Sequence, residues 1–123
     1  MKKKLLTKAE EEIMQIIWEM GECSTGDVLQ MLEKQSGKRP AHSTVSTMLG
    51  ILVRKQILDF RKVGNSRLYT PKLKRDDYLR QTLQHLSDTY FGNSINRLVS
   101  FLVKSKPLDE KTRQKLIRLL EEE

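Results

Sequence analysis

Apolar residues recur along this chain in stripes of helical period, interrupted once by a stretch that alternates. Ile13, Ile16, Ile17 and Met20 form the first stripe, Val28, Met31 and Leu32 the second, and Val45, Met48, Leu49 and Leu52 the third. Spacings of three, four and seven put each set on one face of a helix. Thr7 with Glu10, and Ser24 with Asp27, stand where a hydroxyl caps a helix and an acid three residues on answers it. Gly21 closes the first helix, and Trp18 is expected at an edge of the core. Lys34 to Pro40 reads as the loop into the third helix.

From Ile57 the period falls to two. Strands are expected over Ile57–Lys62 and Arg67–Thr70, joined by Val63-Gly64-Asn65-Ser66, with Gly64 and Asn65 able to take positive φ in a tight turn. Leu58, Phe60 and Leu68 would face inward, and Pro71 ends the second strand. Helical stripes then return: Leu79, Leu83, Leu86 and Tyr90; beyond Gly92, Ile95, Leu98, Val99 and Leu102; beyond Pro107, with Asp109 as cap, Leu116, Ile117 and Leu120. The predicted fold is mainly α with a small β-hairpin. A winged helix-turn-helix domain spans residues 1–72 and a three-helix domain residues 73–123. So small a helical unit has stripes but little volume to hide them in. Burial against a second copy is the economical solution. A two-fold homodimer is therefore expected, with Leu79, Leu83, Leu86, Tyr90, Ile95, Leu98, Leu102, Leu116, Ile117 and Leu120 at its interface.

The polar side of the third helix carries the chemistry. It presents Ser43, Thr44, Ser46, Thr47 and Gly50, with no charge until Arg54 and Lys55. A merely solvated face normally alternates Lys with Glu. Short hydrogen-bonding groups without carboxylates suit a helix that enters the major groove. Arg61, Lys62 and Arg67 are expected together at the hairpin tip, against phosphates. Charge agrees with this. Between Ser36 and Lys72 stand Lys38, Arg39, Arg54, Lys55, Arg61, Lys62, Arg67 and Lys72 against Asp59 alone, so this third holds the whole net charge of +7. Such a patch is the footprint of a polyanion. The expected partner is double-stranded DNA, and a dimer would read an inverted repeat.

Other classes recede. No stretch approaches the roughly 18 apolar residues of a membrane span, so no membrane insertion is expected. The basic start Lys2-Lys3-Lys4 is followed by two apolar residues and no cleavage pattern, which points to the cytoplasm. Cys23 is the one cysteine, and His42 and His85 lie far apart in sequence. No metal site and no cofactor are expected. Nor is catalysis, since no phosphate loop or nucleophile–base set is present. The competing reading is an architectural or protein-interaction module that holds nucleic acid by charge alone. The uncharged face of the third helix argues against it.

Several motifs, in order and spacing, resemble the penicillinase-repressor (BlaI/MecI) family. Thr7-Lys8-Ala9-Glu10-Glu11-Glu12-Ile13-Met14-Gln15-Ile16-Ile17-Trp18 is similar to that family's opening. Thr44-Val45-Ser46-Thr47-Met48-Leu49 resembles its recognition-helix core, and Arg67-Leu68-Tyr69-Thr70-Pro71 its wing exit. Leu52, Lys55 and Ile57 fit its continuation, except that Gln56 stands where Gly is usual. The resemblance runs over essentially the whole chain. It implies a dimeric winged-helix repressor with Ser43, Thr44, Ser46 and Thr47 toward base edges and Arg61, Lys62 and Arg67 on flanking phosphates. It also implies relief through a membrane sensor protease system that cleaves the second domain at an Asn-Phe bond. Here Ser100-Phe101 occupies that place, with Ser for Asn. The family's copper-responsive branch uses a C-terminal Cys-x-Cys pair, which this chain lacks.

Overall fold

The computed structural model describes residues 6–105 and 109–121. Six helices and one hairpin follow in the order α1 (Lys8–Met20), α2 (Thr25–Ser36), α3 (His42–Arg54), β1 (Leu58–Val63), β2 (Ser66–Pro71), α4 (Arg75–Tyr90), α5 (Ile95–Ser105) and α6 (Glu110–Glu121). The described residues divide between Gln81 and Thr82 into two compact units.

Helix starts follow the cap residues. Thr7 Oγ1 accepts from the Glu10 N–H at 3.2 Å and the Glu10 carboxylate accepts from the Thr7 N–H at 2.8 Å. Ser24 and Asp27 exchange the same pair of bonds at 3.1 and 2.9 Å. Each box satisfies two orphan donors, and each cap is worth about 1 kcal/mol. Helix α3 differs: Ala41 precedes it and provides no side-chain cap.

Ile13, Ile16, Ile17, Val28, Val45, Leu49, Leu52, Ile57 and Leu58 fill the core of the first unit, together with Met14, Leu29 and Tyr69. A stripe of single-face period misses Met14 and Leu29 because their helices are covered from two sides: α1 packs on both α2 and β2, and α2 on both α1 and α3. Met20, expected inside, is 43% exposed in the last turn of α1. Met31, Leu32 and Met48 pack against the core only in part. Trp18 holds the edge, its indole N–H donating to the Leu73 carbonyl at 2.9 Å and its ring 5.6 Å from that of Tyr78.

The hairpin is antiparallel, with Leu58 opposite Pro71, Phe60 opposite Tyr69, and Val63 opposite Ser66. That register leaves a two-residue turn at Gly64-Asn65, as expected, with each strand one residue longer at its turn end. Gly64 takes φ 61 and Asn65 stays at negative φ, the arrangement that demands glycine first. Inward and outward sides of β2 are the reverse of expectation. Tyr69 is buried and Leu68 only half-buried. The covered side of β2 is the one packed on α1, where Tyr69 joins the core. The Cys23 backbone pairs with Tyr69 in both directions at 3.1 and 2.8 Å, so the α1–α2 link acts as a short third strand. Phe60, opposite Tyr69, is 38% exposed at the edge of the same face. Helix, helix, helix and a two-stranded wing make this unit a winged helix.

In the second unit, Gly92 and Asn93 take φ 57 and 64 and separate α4 from α5. The Ser94 hydroxyl then accepts from the Arg97 N–H and starts α5. Asp109 caps α6 through the Thr112 N–H at 2.7 Å. Leu98 is buried here within its own chain, so it offers no free surface. Leu79 in α4 of the first unit, and Leu83, Tyr90, Ile95, Leu102 and Ile117 in the second, are 41 to 73% exposed. Leu86 and Leu116 are half-buried. Pro107 and the side chain of Leu120 lie outside the described residues. Among the described residues, no helix is long and apolar enough to cross a membrane.

Candidate nucleic-acid interface

Helix α3 buries Val45, Leu49 and Leu52 and turns its other side to solvent. Ser43, Thr44, Thr47 and Arg54 are exposed, and Ser46 is half-buried. At 3.6 residues per turn, Ser43, Thr47 and Arg54 fall along one outward line. Thr44 lies on one flank of it, and Ser46 with His42 on the other. The outward line is uncharged down to Arg54, so it excludes neither a base edge nor a phosphate.

The far end of α3 is anchored. Gln56, at φ 67, is left-handed. The N–H groups of Gln56 and Ile57 bond back to the carbonyls of Val53 and Leu52, each at 3.0 Å. This is the Schellman closure, and it turns the chain sharply from helix into wing. Lys55, at the same end, reaches the Glu10 carboxylate at 2.8 and 3.1 Å. Burial pushes the Glu10 carboxyl up, but the Lys55 ammonium and the Thr7 N–H outweigh it and hold the group below the usual carboxylate range. Glu10 thus ties the start of α1 to the end of α3. Its place in a helix-start motif had not suggested that second task.

The wing cations part company. Alternation places Lys62 and Arg67, directly opposite each other, on the face that also holds Phe60 and Tyr69. Arg61 points to the other face. There its Nε and Nη2 each donate to the Glu22 carboxylate at 2.9 Å. The bond keeps the Glu22 carboxyl below its ordinary range and raises the Arg61 guanidinium. The expected cluster of three is therefore a pair, because Arg61's charge is already answered and braces the wing against the α1–α2 link. Arg67 is held differently. Its guanidinium carbon lies 4.5 Å from the Phe60 ring centroid, and that ring lies 6.0 Å from Tyr69's. Stacking of this kind fixes a long side chain without neutralising it. Phe60 and Tyr69 are thus supports for Arg67, which the strand pattern alone did not reveal.

Between the wing and α3 lies an open cleft of about 420 Å³ lined by Ser24, Thr25, Gly26, His42, Ser46, Asn65, Ser66, Arg67 and Tyr69. Cys23 lies beneath the adjoining strand pairing. Burial, with the nearby Asp27 and Glu22 carboxylates, pushes its thiol up to about 11, so it carries no thiolate at neutral pH.

Comparison with known proteins agrees with this geometry. The family model described as penicillinase repressor matches residues 6–122. The chain is 28% identical over 117 residues to the penicillinase repressor of Bacillus licheniformis, covering 95% of this chain and 90% of that protein. It is 26% identical over 115 residues to the penicillinase repressor of Staphylococcus aureus, with 94% and 90% covered. Among solved structures, the solution structure of monomeric Bacillus licheniformis BlaI in complex with the blaP half-operator is 34% identical. It aligns with a TM-score of 0.51 over 63% of this chain and 92% of that one.

Proposed function

We propose that this chain, which belongs to the penicillinase repressor family and is a DNA-binding transcriptional repressor, acts as a homodimer on an inverted-repeat operator. Residues 1–72 bind DNA and residues 73–123 join the two copies. The observation that carries the reading is the outward face of α3, small and uncharged through Ser43, Thr44, Ser46 and Thr47, flanked by the stacked Arg67. Serine and threonine hydroxyls can donate to or accept from base edges, and Lys62, Arg67 and Arg54 supply the charge that draws the duplex in. A module that bound by charge alone would have no use for a face left uncharged from Ser43 through Thr47.

Dimerisation is supported by the apolar residues left open in the second unit. Tyr90 is 73% exposed, Phe101 57% and Leu102 56%. A second copy would cover them, and two α3 helices on one two-fold axis would meet successive major grooves about one helical turn apart. Relief of repression follows from cutting Ser100–Phe101, whose two residues are exposed in α5. The cut would part Phe101 and Leu102 from the rest of that face. A membrane sensor protease system is the proposed agent, and a fragment ending at Ser100 is its expected product in derepressed cells.

Selection from random duplex DNA at physiological salt tests the core of this reading. An enriched inverted repeat, with half-sites roughly one turn apart, is expected. Binding without enrichment that vanishes as salt rises would overturn it in favour of the charge-driven module.

A further inference from the structure

We propose that the cleft between α3 and the wing seats one backbone phosphate of the bound operator, with His42 as its titratable ligand, so that operator affinity rises as pH falls. The inference rests on the repressor reading above and assigns one site within it.

The lining has the composition of an anion seat drawn from three elements. Thr25 comes from the start of α2, His42 and Ser46 from α3, and Asn65, Ser66 and Arg67 from the wing. Hydroxyls, an amide, an imidazole and a guanidinium converge, and no carboxylate is among the lining residues. The two acids that adjoin its lining in sequence, Asp27 and Glu22, both have hydrogen-bond partners. The Asp27 carboxylate accepts from the Ser24 N–H at 2.9 Å, and that of Glu22 is held by Arg61. Beyond the lining, Lys62 shares Arg67's face of the wing, and Lys38 and Arg39 precede α3, Arg39 lying 4.0 Å from Glu33. Tyr69, the other titratable group in the lining, is buried. Thus His42 shares the cleft with a guanidinium and neutral polar groups, and no carboxylate is among the lining residues.

Position makes the occupant a DNA phosphate. A helix lying in the major groove is walled by the two sugar-phosphate backbones. His42 and Ser46 lie on the flank of α3 that turns to the wing, beside the outward line of Ser43 and Thr47. A backbone running along that flank passes over the cleft. Imidazole side chains change charge within the physiological range, and an adjacent phosphate favours the charged form. Binding is therefore coupled to proton uptake, and lower pH tightens it.

The test uses the full chain and the selected operator duplex, with anisotropy read at about pH 8 and about pH 6 at constant ionic strength. The wild type is expected to bind about fivefold tighter at the lower pH, as one added charge-assisted contact would give. Its salt dependence should steepen there by about 0.9 in log–log slope. His42→Gln should lose both effects and His42→Lys should bind tightly at both pH values. His85→Gln, changing the only other histidine, should behave as wild type. His42 is exposed at the first position of α3, so neither substitution disturbs the core. Operator-specific binding at pH 8 with no gain at pH 6, or a full gain retained in His42→Gln, would overturn the proposal while leaving the repressor intact. Loss of operator preference at both pH values in the wild type would overturn the repressor reading and this site with it.

Discussion

Gln56 shows how one residue can work against its own backbone. It occupies the left-handed position that closes α3, where side chains other than glycine are strained. Glycine takes that conformation without strain. Gln56→Gly is expected to raise stability by about 0.5–1 kcal/mol, after allowing for glycine's greater freedom in the unfolded chain. Urea unfolding checks it, and an unchanged or lower midpoint would refute the strain. Thr47 stands exposed at the middle of the face proposed to meet DNA. Thr47→Glu puts a carboxylate on the outward line, where it would face base edges and phosphates. Operator binding should be abolished with the oligomeric state unchanged, as gel shift and sedimentation would report. Surviving binding would mean that α3 presents a different face.

Between elements, the two wing arginines differ: Arg61 is paired with Glu22, and Arg67 is stacked on Phe60 and is the one proposed to meet a phosphate. Arg67→Ala should weaken binding several-fold on all sequences and lower the salt slope by about 0.9, the loss of one phosphate contact. Arg61→Ala should leave that slope nearly unchanged, because Glu22 already neutralises it. Equal slopes for the two variants would contradict the assignment. Glu10 links α1 to α3 and makes the domain acid-sensitive. Its carboxyl titrates lower in the folded chain than in the unfolded one. The stabilisation is therefore fully present above the unfolded value of about 4.3 and is lost as pH falls through the lower, folded value. Glu10→Gln should lower stability at pH 7 by about 1–2 kcal/mol, a figure discounted because Lys55 is half exposed. The gap between the two proteins should narrow on acidification. A gap that stays constant to pH 3 would show that the ion pair contributes nothing.

For the whole molecule, the open apolar residues of the second unit carry the dimer proposal. Leu83 and Leu102 are 49 and 56% exposed. Changing both to Glu should yield folded monomers by sedimentation, with the helical circular dichroism signal retained and operator affinity strongly reduced. A persisting dimer would place the interface elsewhere. Leu98 is unsuited to this test, since it is buried within its own chain and a charge there would unfold the unit.

What the sequence determined by itself is what depends on local order. Helix periods, the boxes at Thr7 and Ser24, the turn glycine at Gly64 and the uncharged run from Ser43 through Thr47 all arise from neighbours within a few residues. Local backbone sterics and hydrogen bonding decide those features before any tertiary contact forms. Partnerships across long separations are different. Nothing near Arg61 in sequence announces Glu22, 39 residues away, and nothing near Glu10 announces Lys55, 45 residues on. Tyr69 rather than Leu68 faces inward because its side of β2 is the one packed on α1. Arg67 is aimed by Phe60 because the strand register sets them on one face. His42 joins the wing only when α2, α3 and the hairpin close around one cleft. Alternation fixes which residues share a side of a strand, but only packing decides which side is covered. That choice separated the arginine paired with Glu22 from the one stacked on Phe60.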